Sequence, residues 1–150
     1  MAANFPQGDQ AMPSDLQPLG LAIKRAQYRH HRTVDAALIE IGTTLAQWDA
    51  LRAIARNPES SSHKLAGLTF QSDQSFGALA NRMVDRGLIL RVAGEGRAIL
   101  HHLTPAGEEM LAAGSPVVDR LLAASFAPLN RTERQQLQAL LFKLLGDDAP

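Results

Sequence analysis

The 150-residue sequence carries 15 basic and 15 acidic residues, so its net charge gives no sign of a nucleic-acid partner. It contains no cysteine, which excludes disulfides, thiolate metal sites and thiol redox switches. It also lacks the long apolar run of a transmembrane helix, and we expect a cytoplasmic protein with no membrane partner. The charge is uneven, however. The segment from Lys24 to Arg97 is mildly basic between acidic ends, so its positive groups could share one face.

The first predicted helix begins near Ser14 and ends at Gly42, after an N-terminal segment, 1–13, that we expect to be a flexible tail. Ser14 and Gln17 fit a capping box, and glycine is typical of a helix end. Apolar residues recur along the segment at helical spacing. A helix this long cannot be covered by so small a domain, so we predict that part of it packs on a partner chain.

Three shorter helices are predicted next. The second begins at Thr44, with Gln47 completing a capping box, and serines 60–62 cap a short third helix. The fourth is capped by Ser72 and ends at Arg86, before a glycine. Two short helices joined by a tight turn are typical of a helix-turn-helix.

The pattern then changes to short β-type runs, Leu88–Val92 and Ala98–Leu103, separated by a glycine-rich turn that fits a hairpin. Thr104 caps a fifth helix, which the segment Gly114–Pro116 should kink or break. Asn130 caps a sixth helix with a strong leucine stripe.

This order predicts a mainly α protein with a small β-hairpin, namely a winged helix-turn-helix. We expect a single domain at 14–150, in which 44–104 form the winged helix-turn-helix. The long helices within 14–42 and 105–146 are predicted to form a dimerisation layer.

The outward face of the fourth helix carries small and amide side chains near its N-terminus, where Gln74 and Ser75 suit base edges or phosphates. The wing tip ends in Arg97, which suits a narrow minor groove, and Glu95 could hold it by a salt bridge. The alternatives are a plain solvated helix and an ordinary turn. The predicted DNA-contacting residues are Ser62, His63, Ser72, Gln74, Ser75, Gly77, Ala78, Asn81, Arg82, Glu95 and Arg97.

Three further residues are candidates for binding a small effector at the dimer junction: His30, His31 and Trp48. His30 lies on the apolar face of the first helix, where it suits a ligand pocket or a pH-sensing role. The alternatives are a hydrogen-bonded interface histidine and a core tryptophan. No side-chain cluster has the spacing of a metal site, so no metal or cofactor is expected.

Taken as a set, the motifs resemble the MarR-type regulators from about Leu19 to Leu145. The matching segments are Leu65-Ala66, Asn81–Arg91, Glu95–Ala98, Leu103–Gly107 and Leu129–Glu133. The resemblance implies a homodimer that binds pseudo-palindromic double-stranded DNA and usually represses transcription. It also implies that a small aromatic or phenolic ligand releases the DNA, as it does in many relatives.

The sequence departs from the family pattern at two places. Members often carry Thr-Arg in the middle of the recognition helix, where this chain has Gly77-Ala78. The usual Asp-x-Arg of the wing is Glu95-Gly96-Arg97 here, which keeps the acid–arginine pair. We therefore expect base reading to fall more on Gln74 and Ser75, and anchoring on Arg82 and Arg97.

Two other functional classes remain open from the residues alone. One is a winged-helix module for protein–protein contact without specific DNA binding, which the neutral charge and the absence of an arginine at Ala78 favour slightly. The other is a small helical enzyme, but the sequence offers no convergent polar site for catalysis.

Overall fold

The computed structural model describes residues 13–148, with side chains from Leu16 to Asp147. The predicted tail therefore lies almost entirely outside the described residues, as does the side chain of the predicted cap, Ser14. The elements are α1 (Pro13–Glu40), α2 (Leu45–Arg56), α3 (Ser62–Leu68), α4 (Asp73–Asp85), β1 (Ile89–Ala93), β2 (Ile99–Leu103), α5 (Pro105–Phe126), α6 (Arg131–Leu145) and a final 3-10 turn, Gly146–Asp148.

The predicted fold class, mainly helical with one hairpin, is confirmed. The two strands pair antiparallel, with Ile89 opposite Leu103 and Ala93 opposite Ile99. Side-chain oxygens cap the helices because they accept the free N–H groups of the first turn. Thr44, Ser72, Thr104 and Asn130 do so as predicted, and Ser61 caps α3.

The main core lies under α4 and joins it to α2, α3 and β1. Its largest fully buried side chains include Phe76, Leu51, Ile54, Met83 and Ile89. Burial of a large apolar side chain contributes roughly 1.5–3 kcal/mol. This core therefore holds α4 firmly while its other face stays open.

A second, smaller core joins α1, α2 and α5 through Val34, Leu38, Trp48 and Val118. It lies between the helix-turn-helix and the long terminal helices. Beyond it, large apolar side chains of α1 and α6 stay exposed, including Leu19 at 58%, Tyr28 at 59% and Leu144 at 69%.

The sequence predicts that the segment Gly114–Pro116 kinks or breaks the fifth helix. The structure shows no break, because α5 runs continuously from Pro105 to Phe126. Proline removes one helical N–H, but packing on both sides of it holds the helix together. The Leu111 carbonyl accepts hydrogen bonds from the Trp48 indole N–H (3.2 Å) and the Ser115 hydroxyl (2.9 Å). Val118 packs on the other side of the proline, in the smaller core.

Gln47 does not complete the capping box predicted at Thr44. The Thr44 hydroxyl accepts the Gln47 backbone N–H at 3.2 Å, but the Gln47 side chain turns elsewhere. Its Oε1 accepts hydrogen bonds from the Arg86 guanidinium at 2.5 Å and the Thr43 hydroxyl at 3.3 Å. The partner that displaces the local cap lies 39 residues away in the sequence.

Within residues 13–148, no single helix is long and apolar enough to cross a membrane. One pair, α5 with α6, passes on length and composition when taken together, but the two are bent by 102°.

Candidate nucleic-acid interface

The open face of α4 carries the predicted recognition residues. Those that are exposed are Ser72, Gln74, Ser75, Ala78, Asn81 and Arg82, whereas Gly77 is half-buried. At the N-terminus of the helix, the Ser72 hydroxyl accepts the Ser75 backbone N–H at 3.1 Å and donates to the Ser75 hydroxyl at 3.0 Å. The two serines thus form a small polar surface at the end that the sequence predicts to meet DNA.

His63 is tied to the first residue of α4. Its Nδ1 lies 2.9 Å from both carboxylate oxygens of Asp73, and both side chains are exposed. The carboxylate suits the positive end of the helix dipole but would repel a DNA phosphate. The sequence analysis did not single out Asp73. Ser62, a predicted DNA contact, is half-buried at the first residue of α3.

Arg91 is the second functional candidate that sequence reasoning did not single out. Its guanidinium donates to the Asn81 side-chain oxygen, so β1 is joined to the exposed face of α4. The contact fixes which way the Asn81 amide presents its donors. Only the fold brings the two together, because they are 10 residues apart and lie on different elements.

The wing tip is a tight turn. The Gly94 N–H donates to the Ala98 carbonyl at 2.9 Å, and Gly96 has a φ of +64°, which favours glycine. Glu95 and Arg97 are both exposed, and in the described part of the chain they form no ion pair with each other. The predicted salt bridge is therefore absent, because water solvates two exposed charges well enough that pairing gains little.

His101 lies under α4 on β2, and it is only 2% exposed. Its ring meets Phe76 edge-on at 6.0 Å, and its Nδ1 has no hydrogen-bond partner among the described residues. Burial lowers the pKa of this imidazole, and the nearby Arg91 and His102 lower the pKa further. The neutral ring is therefore the form that the core accepts.

This burial predicts a pH dependence of stability. The unfolded chain protonates His101 near pH 6.5, whereas the folded protein resists, so the unfolded state binds more protons below that pH. The contribution of His101 is fully present above pH 6.5 and is lost as the pH falls toward the lowered folded pKa. Urea unfolding at pH 7.5 and pH 5.5 measures the loss. His101→Leu should reduce it, whereas His31→Leu, which removes an exposed histidine from α1, should not. A loss in His101→Leu equal to that of the wild type contradicts the prediction.

A groove of about 140 Å³ lies between α1 and α5. The residues that line it include Arg29, His30, Thr33, Val34, Leu121 and Ser125. The His30 Nε2 hydrogen-bonds to the Ser125 hydroxyl, and the His30 ring meets Phe126 edge-on at 5.2 Å. His30 is therefore half-buried at a polar edge of an apolar groove, where either predicted role, effector contact or interface histidine, fits.

The other two effector candidates lie elsewhere. Trp48 is 4% exposed, donates to the Leu111 carbonyl and packs in the smaller core, as a core tryptophan does. It does not line the groove, so the structure separates it from His30. His31 is exposed on α1.

Comparisons with known proteins agree with this architecture. The chain matches the model of the MarR family over residues 41–98. It is 28% identical over 136 residues to the HTH-type transcriptional repressor Rv2887 of Mycobacterium tuberculosis, covering 89% of this chain and 98% of the relative.

Solved structures extend the likeness to three dimensions. A probable transcriptional regulator from Pseudomonas aeruginosa is 31% identical, with a TM-score of 0.73 over 83% of this chain and 95% of that one. The crystal structure of Rv2887 in complex with salicylic acid is 28% identical, with a TM-score of 0.70 over 85% of this chain and 96% of that one. With a winged helix-turn-helix set between long terminal helices, the chain belongs to the MarR family of transcriptional regulators, which are DNA-binding proteins and not enzymes.

Proposed function

We propose that the protein acts in the cytoplasm as a homodimeric repressor that binds a pseudo-palindromic operator and releases it when a small aromatic ligand binds. The observation that carries this proposal is the exposed face of α4, to which Arg91 of β1 is hydrogen-bonded through Asn81. The basic side chains of Arg82 on α4 and Arg97 at the wing tip are both exposed. The relative Rv2887 is itself named a repressor.

The roles of the surface residues follow from their positions. The serine pair and Gln74 lie at the N-terminal end of α4, where side chains meet base edges when a recognition helix enters the major groove. We assign Asn81, held by Arg91, to base or phosphate contact, and Arg82 to a phosphate. Gly77 and Ala78 add little bulk, so the helix can approach the groove closely. Arg97 at the wing tip suits the minor groove.

The proposed division of the chain also follows from the positions of its elements. We propose that residues 44–104 form the DNA-reading unit, and that 14–42 and 105–146 form the dimer, all within one domain at 14–150. Exposed apolar side chains lie on both terminal helices, and a second copy of the chain would cover them. Two copies place two recognition helices on half-sites about one DNA turn apart.

The groove between α1 and α5 is the proposed effector site. A guanidinium, an imidazole and two hydroxyls at its edge suit a small aromatic ligand that bears an acidic group. The Rv2887 structures were solved in complex with salicylic acid and with DNA. Salicylate is therefore the first probe for this chain.

The test begins with selection of duplexes from random DNA by the full-length protein, followed by titration of the selected palindrome. We expect Arg97→Ala to weaken binding about tenfold, whereas Arg56→Ala, which removes an exposed arginine from the last turn of α2, should not. Salicylate should weaken binding by the wild-type protein.

The possible results separate the functions. Equal affinity for the selected palindrome and for random DNA would rule out sequence-specific regulation and favour the protein-contact module. An unchanged affinity of Arg97→Ala would remove the wing from the mechanism, and no response to salicylate would reject it as an effector.

A further inference from the structure

Arg86, at the C-terminal end of α4, connects the recognition helix to the end of α1. Its guanidinium donates to the Gly42 carbonyl at 2.7 Å and to the Gln47 side-chain oxygen at 2.5 Å. Gly42 closes α1 with a φ of +91°, a conformation that favours glycine. Gln47 is 8% exposed and is held also by Thr43.

The residues after Arg86 are tied to the other long helix. The Thr104 hydroxyl, which caps α5, donates to the Gly87 carbonyl at 2.5 Å, and the Thr104 N–H donates to the Leu88 carbonyl at 3.1 Å. One corner of three residues, 86–88, therefore joins the recognition helix to the ends of both proposed dimerisation helices. These hydrogen bonds to backbone carbonyls restrict the orientation of the corner, because their donors and acceptors must align.

The corner lies at the far end of α4 from the polar N-terminal surface. A helix of 13 residues is about 20 Å long. A rotation of the whole reading unit by about 10° about this corner would thus move the Ser72 end of α4 by about 3.4 Å, which is the rise of one base pair. A small change of orientation at this corner therefore shifts the DNA-contacting end of α4 by about one base pair.

We propose that Arg86 is a positioning residue that sets the separation of the two recognition helices and hence the half-site spacing that the dimer accepts. The inference rests on the proposed function, since spacing has meaning only for a dimer on two half-sites. Arg86 acts through Gly42 and Gln47. It holds two acceptors in one plane, which the planar fork of a guanidinium does and a lysine ammonium does not.

The experiment uses the selected palindrome and two versions with the spacer between half-sites lengthened or shortened by one base pair. The full-length wild-type protein should lose about tenfold or more in affinity on either altered spacer, because each change also rotates one half-site by about a tenth of a turn. Arg86→Gln should weaken binding to the natural spacing and bring the loss on the altered spacers to about threefold or less.

Two further variants guard against a purely structural effect. Arg86→Lys keeps the charge and one donor group, so its spacing discrimination should lie between those of the wild type and Arg86→Gln. Arg56→Gln removes an equal charge from the exposed last turn of α2, outside the dimer helices and the assigned DNA contacts, and should discriminate as the wild type does. Circular dichroism and light scattering confirm that each variant is a folded dimer; if Arg86→Gln is not, Arg86→Lys decides.

The outcomes keep the two hypotheses apart. If the wild type shows no preference for the palindrome, the proposed function fails before any variant is tested. If the wild type discriminates spacing and a folded Arg86 variant discriminates equally, with weaker binding overall, the positioning role is wrong. A flattened spacing profile supports it.

Discussion

Replacing Gly107 with alanine is expected to lower the free energy of unfolding by about 3 kcal/mol. Gly107 lies in the first turn of α5, against the backbone of Leu88, the last residue of the corner 86–88. A methyl group there would lie 2.0 Å from the Leu88 carbonyl oxygen and 3.1 Å from the Leu88 carbonyl carbon. Backbone cannot rotate away as a flexible side chain does, so α5 must shift.

The shift would also loosen a hydrogen bond. The Leu88 carbonyl that the methyl group would meet is the one that accepts the Thr104 N–H. Loss of this bond adds about 1 kcal/mol. A domain of this size loses roughly 2–4 °C of melting temperature per kcal/mol. Thermal unfolding at a fixed protein concentration measures the change.

Gly77 offers a matched control, since it is also a glycine inside a helix. In the described part of the chain, no atom other than its chain neighbours and the nearby backbone of its own helix lies within 4 Å of a methyl group built at this position. Gly77→Ala should raise stability by about 1 kcal/mol, because alanine favours the helix more than glycine does. The steric explanation is wrong if Gly107→Ala is as stable as the wild type, or if the two variants change in the same direction.

Gly107 also shows which features the sequence could and could not predict. The Leu-Thr-x-x-Gly pattern at 103–107 was recognisable as a motif, and Thr104 was predictable as a helix cap from its residue type and the following proline. The sequence did not show why a glycine is needed at this position. The need arises because two backbone segments that are 19 residues apart in the sequence approach each other closely in the fold. Local rules place caps and helix ends, and packing distances appear only in the fold.

The candidate site divides in the same way. The exposed face of α4 follows from helical periodicity, so its residues were found in advance. The pairings that shape this face were not, since His63 meets Asp73 and Arg91 meets Asn81 only through tertiary packing. Two local predictions also failed because of tertiary packing. The Gln47 side chain accepts a hydrogen bond from Arg86 instead of capping its own helix, and Pro116 does not break α5.

The second large effect is expected from the apolar stripe of α6. Leu140 and Leu144 are one turn apart on the same face of this helix and are 65% and 69% exposed. In the proposed dimer a second copy covers them. Leu140→Asp with Leu144→Asp would place charges in that apolar contact, and burying an unpaired charge costs several kcal/mol. We expect a monomer at micromolar concentration, measured by light scattering.

Loss of the dimer should also lower operator affinity about 100-fold or more, because the second half-site contact is no longer intramolecular. The control is Gln135→Asp with Ala139→Asp, which carries the same charges at the same spacing, on exposed positions away from the leucine stripe. A double leucine variant that stays dimeric contradicts the assignment of α6 to the interface. A monomer that binds the operator as tightly as the wild type contradicts two-site binding instead, because the reading unit would then need no partner.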